Sequence, residues 1–291
     1  MSETKSTTGP PKPTDRLQAL PTFMQRQILA FFGYHDYTLA GRTCQYLHAL
    51  WKKAVGNKQL PLFVPVDCKT LKEAVERVKK DDRLTTIVVG KGEHVVAVYK
   101  DEDESDSDDS DETAEMNDLE IASTMNIVGD PGVAKEEIVV VGGIFFGKGI
   151  QGNCHLQHLT LRQAKAYGVY GASSFTMEDV LVEQCDYGVV ASGTGVVGRC
   201  TNVEVRQCKG SGVFAGSGAS ITLIGAKTTV HHNCTKGRSG DYGLQVFGSS
   251  STIQLVSPLT KEHVAIDNGG GGNWGEYGCG DITQIKTIPQ Q

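Results

Sequence analysis

The chain has 291 residues and a mass of 31.2 kDa, with 28 basic and 34 acidic side chains. That length supports one or two domains and a sizeable core. With 39% hydrophobic and 21% charged residues, and no run near the roughly 18 to 20 apolar residues of a bilayer-spanning helix, the composition excludes both a membrane-embedded chain and a wholly disordered one.

The first residues, MSETKSTTGPPKPT, contain no apolar segment of the secretory type. The eight cysteines are therefore expected as reduced thiols, and the location as cytoplasmic or nuclear. Residues 1–18 are polar and Pro-rich and predict a disordered leader. Residues 19–57 change character. Met24, Ile28, Phe31 and Phe32 form one apolar stripe at helical spacing, and Cys44, Leu47, Leu50 and Trp51 form another. Gly33 and Asp36 punctuate between them, and Lys52-Lys53 with Gly56 mark a stop. These signals predict a bundle of about three short helices, too small to be comfortable alone.

The stretch 58–288 reads differently. Residues 69–83 predict an amphipathic cap helix with Leu71, Ala74, Val75 and Val78 on its apolar face. Short strand-like runs follow at Thr85–Val89 and His94–Tyr99. Residues 101–118 then hold eleven acids and neither Lys nor Arg, which predicts a solvated, disordered insert. Ser105, Ser107 and Ser110 lie among those acids and suit acidophilic kinases. Outside the insert the chain is mildly basic, but it lacks clustered Lys/Arg interleaved with aromatics, so no nucleic-acid partner is expected.

Beyond residue 119 the chain repeats itself. Leu159–Ala164, Val180–Cys185, Val203–Cys208 and Thr228–Asn233 align without gaps, with steps of 21, 23 and 25 between Leu161, Val182, Val205 and Val230. A second series places Gly168, Gly188, Gly212 and Gly243 in equivalent positions, with 235–241 as a loop insertion. Runs such as Phe175–Met177, Ile221–Leu223 and Ile253–Leu255 supply a third strand per repeat. Two or three short strands per 20 to 25 residues predict a parallel β-helix, whose coils bury their inner faces only by stacking.

Stacking turns the alignment into columns. Leu161, Val182, Val205 and Val230 point inward, and Arg162, Glu183, Arg206 and His231 point outward with alternating sign. Gln163, Gln184, Gln207 and His232 form an amide-rich ladder expected to satisfy a buried turn. Ala164, Cys185, Cys208 and Asn233 come next, the cysteines as core packing. The glycine column is expected to permit a tight corner. Tyr170, Val190, Phe214 and Gln245 form an outward, mostly apolar strip, a candidate surface for a partner or for sugar stacking unless the insert covers it. Tyr170, Val190 and Phe214, with Arg162 and Arg206, are the candidate target-binding residues.

Chemistry is not expected. Cys154, His155 and His158, and likewise His231, His232 and Cys234, resemble metal ligands in composition, but neighbouring strand residues face opposite sides and no CxxC pair exists. No two acids share a column in adjacent coils, as a glycosidase pair would require. Gly269–Gly272 is followed by no Lys-Ser/Thr, so it is not a phosphate loop. No metal, cofactor or catalytic residue is assigned.

Two resemblances rest on these residues. Leu20-Pro21, Ile28-Leu29, Phe32, Asp36-Tyr37 and Cys44 fall in the register of an F-box, with Phe23, Tyr37 and Thr43 departing from its usual residues. The remainder resembles right-handed parallel β-helix, or pectin-lyase-like, domains of the non-catalytic repeat type found in F-box proteins, and Thr70-Leu71 through Ala74-Val75 matches their N-terminal cap. The resemblance implies a mainly β chain: a right-handed parallel β-helix solenoid preceded by a small three-helix F-box-like bundle. It implies a substrate-receptor subunit of a cullin–RING ubiquitin ligase. Leu20, Pro21, Ile28, Leu29, Phe32 and Trp51 would then meet a Skp-family adaptor, and the solenoid face a target protein. Two other readings stay open: an intracellular carbohydrate-binding or polysaccharide-acting β-helix, and a scaffold whose helices merely cap the solenoid.

Overall fold

The computed structural model describes residues 61–81, 84–97, 99–100 and 115–290. The leader, the 19–57 bundle with its proposed adaptor residues Leu20, Pro21, Ile28, Leu29, Phe32 and Trp51, and the serines Ser105, Ser107 and Ser110 lie outside the described residues.

The described chain is mainly β, and its long sheets are parallel. It opens with β1 (Leu62–Val64) and helix α1 (Leu71–Lys80), followed by β2 (Thr86–Val89), β3 (Gly92–Val95), the small antiparallel pair β4 (Tyr99–Lys100) and β5 (Glu115–Met116), and β6 (Asp118–Ile121). The next turns comprise β7 (Asn126–Gly129), β8 (Ile138–Val141) and β9 (Gly143–Phe146), then β10 (Cys154–Arg162) with β11 (Tyr167–Gly171), then β12 (Phe175–Glu183) with β13 (Tyr187–Ser192). Three further turns comprise β14 (Val197–Thr201), β15 (Glu204–Arg206) and β16 (Val213–Gly216); β17 (Ser220–Ile224), β18 (Thr229–His231) and β19 (Leu244–Phe247); and β20 (Thr252–Val256), helix α2 (Lys261–Val264), β21 (Ala265–Ile266) and β22 (Trp274–Tyr277). Strand β23 (Ile285–Ile288) ends the series.

Each turn visits three ladders in rotation. The first runs β1-β2-β7-β10-β12-β14-β17-β20-β23, and the third runs β6-β9-β11-β13-β16-β19-β22. The second joins β3, β8, the C-terminal halves of β10 and β12, β15, β18 and β21. Strands β10 and β12 serve two ladders because they bend at His158 and Asp179, whose φ angles are 54° and 51°. This arrangement of stacked turns fits a parallel β-helix.

Alternation explains the core. Leu161, Val182, Val205 and Val230 are fully buried and stand directly over one another. Each such side chain contributes roughly 1.5 to 3 kcal/mol of apolar burial. Helix α1 closes on β1 and β2 through Leu71, Ala74, Val75 and Val78. Its start is set by Thr70, whose hydroxyl accepts a hydrogen bond from the Glu73 N–H at 3.1 Å, and Asp81 caps its end. The helix is therefore shorter than the 69–83 expected, because Thr70 is already extended. Short helical turns at Lys135–Glu137, Lys261–Val264 and Ile282–Gln284 also interrupt a region where none was expected.

The end of the acidic tract is structured. Strand β5 and the first residue of β6 lie within 101–118, and Asn117 between them is buried. Its amide donates to the Gln163 carbonyl at 3.1 Å and accepts from the Lys165 N–H at 2.7 Å, tying this segment to β10 and its corner.

Two columns work differently from expectation. Gln163, Gln184, Gln207 and His232 are exposed, with φ near 55–58° at each, so they form a left-handed corner on the surface. The amides that satisfy the corner lie one residue later, Asn233 buried and Asn268 half-buried. Asn233 accepts from the Cys208 N–H and donates to the Val205 carbonyl, both at 3.0 Å; Asn268 repeats this one turn on, with the Asn233 N–H and the Val230 carbonyl. Gly168, Gly188, Gly212 and Gly243, by contrast, do not have positive φ. Their role is room: a Cβ at Gly168 would lie 2.4 Å from Val182 Cγ1, and one at Gly212 2.6 Å from Val230 Cγ1.

Candidate functional site

The second ladder carries the alternating charges. Glu183 is buried, 4% exposed. Its carboxylate accepts from Arg162 Nε at 2.7 Å and from Arg206 Nη2 at 2.7 Å and Nε at 3.0 Å. Arg206 also donates to Glu204 at 2.8 Å, and His231 Nε2 lies 3.2 Å from the same carboxylate oxygen. Burial alone would raise the Glu183 carboxyl, but Arg206 and Arg162 together hold it below its ordinary value. The guanidinium groups of both arginines are thus engaged within the ladder, on a different face from Tyr170, Val190 and Phe214. Four residues before Glu183, at the first corner, Asp179 accepts from Lys135 Nζ at 2.8 Å and meets His158 Nδ1 at 2.6 Å, while His158 Nε2 faces the Val133 carbonyl at 2.8 Å. Burial opposes ionisation of Asp179, yet Lys135 and His158 hold its carboxyl below the usual range.

The cysteines serve the core. Cys154, Cys185, Cys200, Cys208 and Cys234 are buried, and Cys279 is exposed. Burial pushes the Cys200 thiol up to about 12, and burial with Asp241 nearby does the same for Cys234. Such thiols stay protonated and act as small hydrophobes. Among the described residues, no three His, Cys, Asp or Glu side chains converge as a metal-ligand set, and no helix is long and apolar enough to cross a membrane.

The third ladder carries aromatic rings. Phe145, Tyr170, Val190, Phe214 and Gln245 occupy one outward register column. Tyr170 lies with its ring centroid 5.3 Å from Phe145 and 4.9 Å from Tyr167, and Tyr167 lies 5.8 Å from Tyr187. The strip is not continuous. Val190 is only 4% exposed, and Gln245 only 3%. Val190 sits between the larger Tyr170 and Phe214 in its column and offers little surface to a partner. Gln245 lies under the 235–241 loop, donating to the Gly240 carbonyl at 2.8 Å and accepting from the Ser211 hydroxyl.

That loop makes the site. It returns over the third face and leaves an open cleft of about 700 Å³. One side is a stack of rings from three successive turns: Phe214 and Phe247 with centroids 6.4 Å apart, then Phe247 and Tyr277 at 6.0 Å. Phe214 leans across Gly216, where a Cβ would lie 2.6 Å from its ring. Phe247 and Tyr277 are 37% and 58% exposed. The other side is Arg238–Asp241, with Tyr187 also lining the cleft. Asp241 is 7% exposed, and its Oδ2 is buried without a hydrogen-bond partner. Burial raises its carboxyl above the ordinary value, with Arg238 and Lys236 pulling the other way. Its backbone is held by Asp241 N–H to the Arg238 carbonyl at 3.1 Å and Gly271 N–H to the Asp241 carbonyl at 2.8 Å.

Of the residues named from sequence, Phe214 lies in this cleft, Tyr170 flanks it further along the ladder, and Arg162 and Arg206 are elsewhere. Tyr187, Arg238, Asp241, Phe247 and Tyr277 were not singled out. The loop insertion was a usable signal, since an insertion in one turn of a solenoid must fold over a neighbouring face. Phe247 was also within reach, two residues beyond Gln245 on the same outward alternation.

An unpaired buried carboxylate is costly, so Asp241→Asn is expected to stabilise the unliganded chain by about 1 kcal/mol. A higher urea midpoint at unchanged slope would register that gain; an unchanged or lower midpoint would show that Asp241 is compensated.

Comparison finds no matching family model, no matching curated protein and no matching solved structure.

Proposed function

We propose that the chain is a substrate-receptor subunit of a cullin–RING ubiquitin ligase. In this reading Leu20–Cys44 is an F-box that holds a Skp-family adaptor, and a right-handed parallel β-helix presents the target protein. The observation that carries the reading is the cleft on the third face, where rings from three turns, two of them exposed, meet a loop anchored by Gln245. Exposed aromatic and arginine groups around a partly desolvated pocket are the usual composition of a protein-binding hot spot. A stacked solenoid holds such a surface rigidly, which lowers the cost of ordering it on binding. The receptor would contribute recognition rather than chemistry. Among the described residues Asp241 is the one carboxylate lining the cleft, whereas glycoside hydrolysis uses a pair. A receptor of this kind works in the cytoplasm or nucleus.

The test is co-purification of the full chain with a Skp-family adaptor, beside an Ile28→Asp/Leu29→Asp variant. Two unpaired charges in an apolar groove should cost several kcal/mol and abolish capture. Failure of the wild-type chain to hold the adaptor would instead leave a β-helix scaffold whose helices play a structural part.

A further inference from the structure

We infer that the third-face cleft is an anchor pocket for a basic side chain of the target, an arginine or lysine whose cationic head pairs with Asp241. Its apolar stem would lie along Phe214, Phe247 and Tyr277. The inference rests on the receptor reading for the identity of the ligand as a protein, but its chemistry comes from the cleft alone.

Three observations converge on a cation. First, Asp241 is more than nine-tenths buried, lines the cleft, and has a carboxylate oxygen without a hydrogen-bond partner. That oxygen is sealed from solvent beneath the cleft wall, so the folded chain retains a carboxylate charge there that a cationic head in the cleft would offset. Second, the opposite side consists of aromatic rings. Arg and Lys bury their methylene stems on such surfaces, and guanidinium groups stack on aromatic faces. Third, the chain's own cations do not fill the role. Lys236 pairs with Asp186 at 3.2 Å, and Arg238, which makes no ion pair with Asp241 within 4.0 Å, has its guanidinium beside the Tyr187 hydroxyl. An anionic ligand would meet Asp241 as a like charge. A neutral sugar could stack on the same rings, but it would not need a charged group buried at this cost.

The carboxylate is also preorganised. Backbone bonds on both sides of Asp241 and the Gln245–Gly240 bond set the loop before any ligand arrives. Binding energy is then not consumed in ordering it.

The experiment is an NMR titration of the full chain with three probes: Nα-acetyl-arginine-N-methylamide, its citrulline counterpart as a neutral isostere, and maltohexaose. The arginine probe is expected to bind at least about tenfold more tightly than the citrulline probe, the scale of one charge-assisted hydrogen bond. Asp241→Asn should bring arginine down to the citrulline level while the chain stays folded by thermal unfolding. Arg238→Gln, which removes the competing cation, should tighten the arginine probe several-fold and provides a second variant independent of the first. Equal affinity for arginine and citrulline, arginine selectivity that survives Asp241→Asn, binding of maltohexaose alone, or binding of no probe would each overturn the inference. Adaptor capture without arginine selectivity would remove the anchor pocket and leave the receptor reading. Arginine selectivity without adaptor capture would remove the receptor reading and leave the pocket.

Discussion

Gly188→Ala is expected to lower the stability of the solenoid by about 3 kcal/mol or more, because the added methyl group has nowhere to go. A Cβ at this position would lie 2.2 Å from the Gly212 carbonyl oxygen and 2.5 Å from Val205 Cγ1. The first of these is backbone from the next turn, so it cannot move aside as a long side chain would. Gly195→Ala is the matched control. Its φ is 79° and nothing lies within 4 Å of the added carbon, so only conformational strain of about 1 kcal/mol is expected. Urea unfolding of the two variants separates crowding from backbone strain. A Gly188→Ala loss no larger than that of Gly195→Ala would mean that the third ladder can part locally without harm. Because each turn stacks only on its neighbours, hydrogen exchange should accelerate around β13 and β16 first.

Glu183→Ala is expected to cost about 3 kcal/mol, near the lower end for breaking a buried charge cluster. The loss stays near that lower end because the two arginine side chains are 30% and 34% exposed, and water will take up part of their charge. The variant leaves Arg162 and Arg206 facing each other across one turn with no carboxylate between them. The same group links stability to pH. Its folded-state pKa lies below the unfolded value, as does that of Asp179. The contribution of each is therefore fully present above the unfolded carboxylate range near pH 4, and it is lost as pH falls through the folded values. Wild type should lose stability steeply on acidification below about pH 4. Glu183→Ala should start less stable and lose less over the same interval. Parallel acid limbs in the two proteins would show that Glu183 is not ionised in the folded state.

Much of the fold was legible because a solenoid writes its tertiary contacts into a short sequence period. Leu161, Val182, Val205 and Val230 could be aligned by eye, and the register places them over one another. The alternating charges of Arg162, Glu183, Arg206 and His231 were legible for the same reason. What local pattern misassigned was the cause behind a column. The glutamines were expected to satisfy a buried turn, yet they occupy an exposed left-handed corner, and Asn233 and Asn268 do the satisfying. The glycines were expected to permit a tight corner, yet they have no positive φ, and Gly168, Gly188 and Gly212 instead leave room for valines of the second ladder.

The candidate site was the least legible part. The outward direction of Tyr170, Val190 and Phe214 follows from alternation, but exposure does not, because it depends on what neighbouring side chains and loops cover. Val190 lost its surface in this way, and Gln245 became the anchor of a loop rather than a surface group.

The sequence by itself determined the repeat, the inward column and the position of the insertion at 235–241, since each depends on residues near one another in the chain or separated by one regular period. Only the tertiary structure decided that this insertion folds back to place Asp241, from one turn, in a cleft with rings from three. That meeting depends on the path of an irregular loop and on the desolvation it imposes, and neither quantity has a period to read.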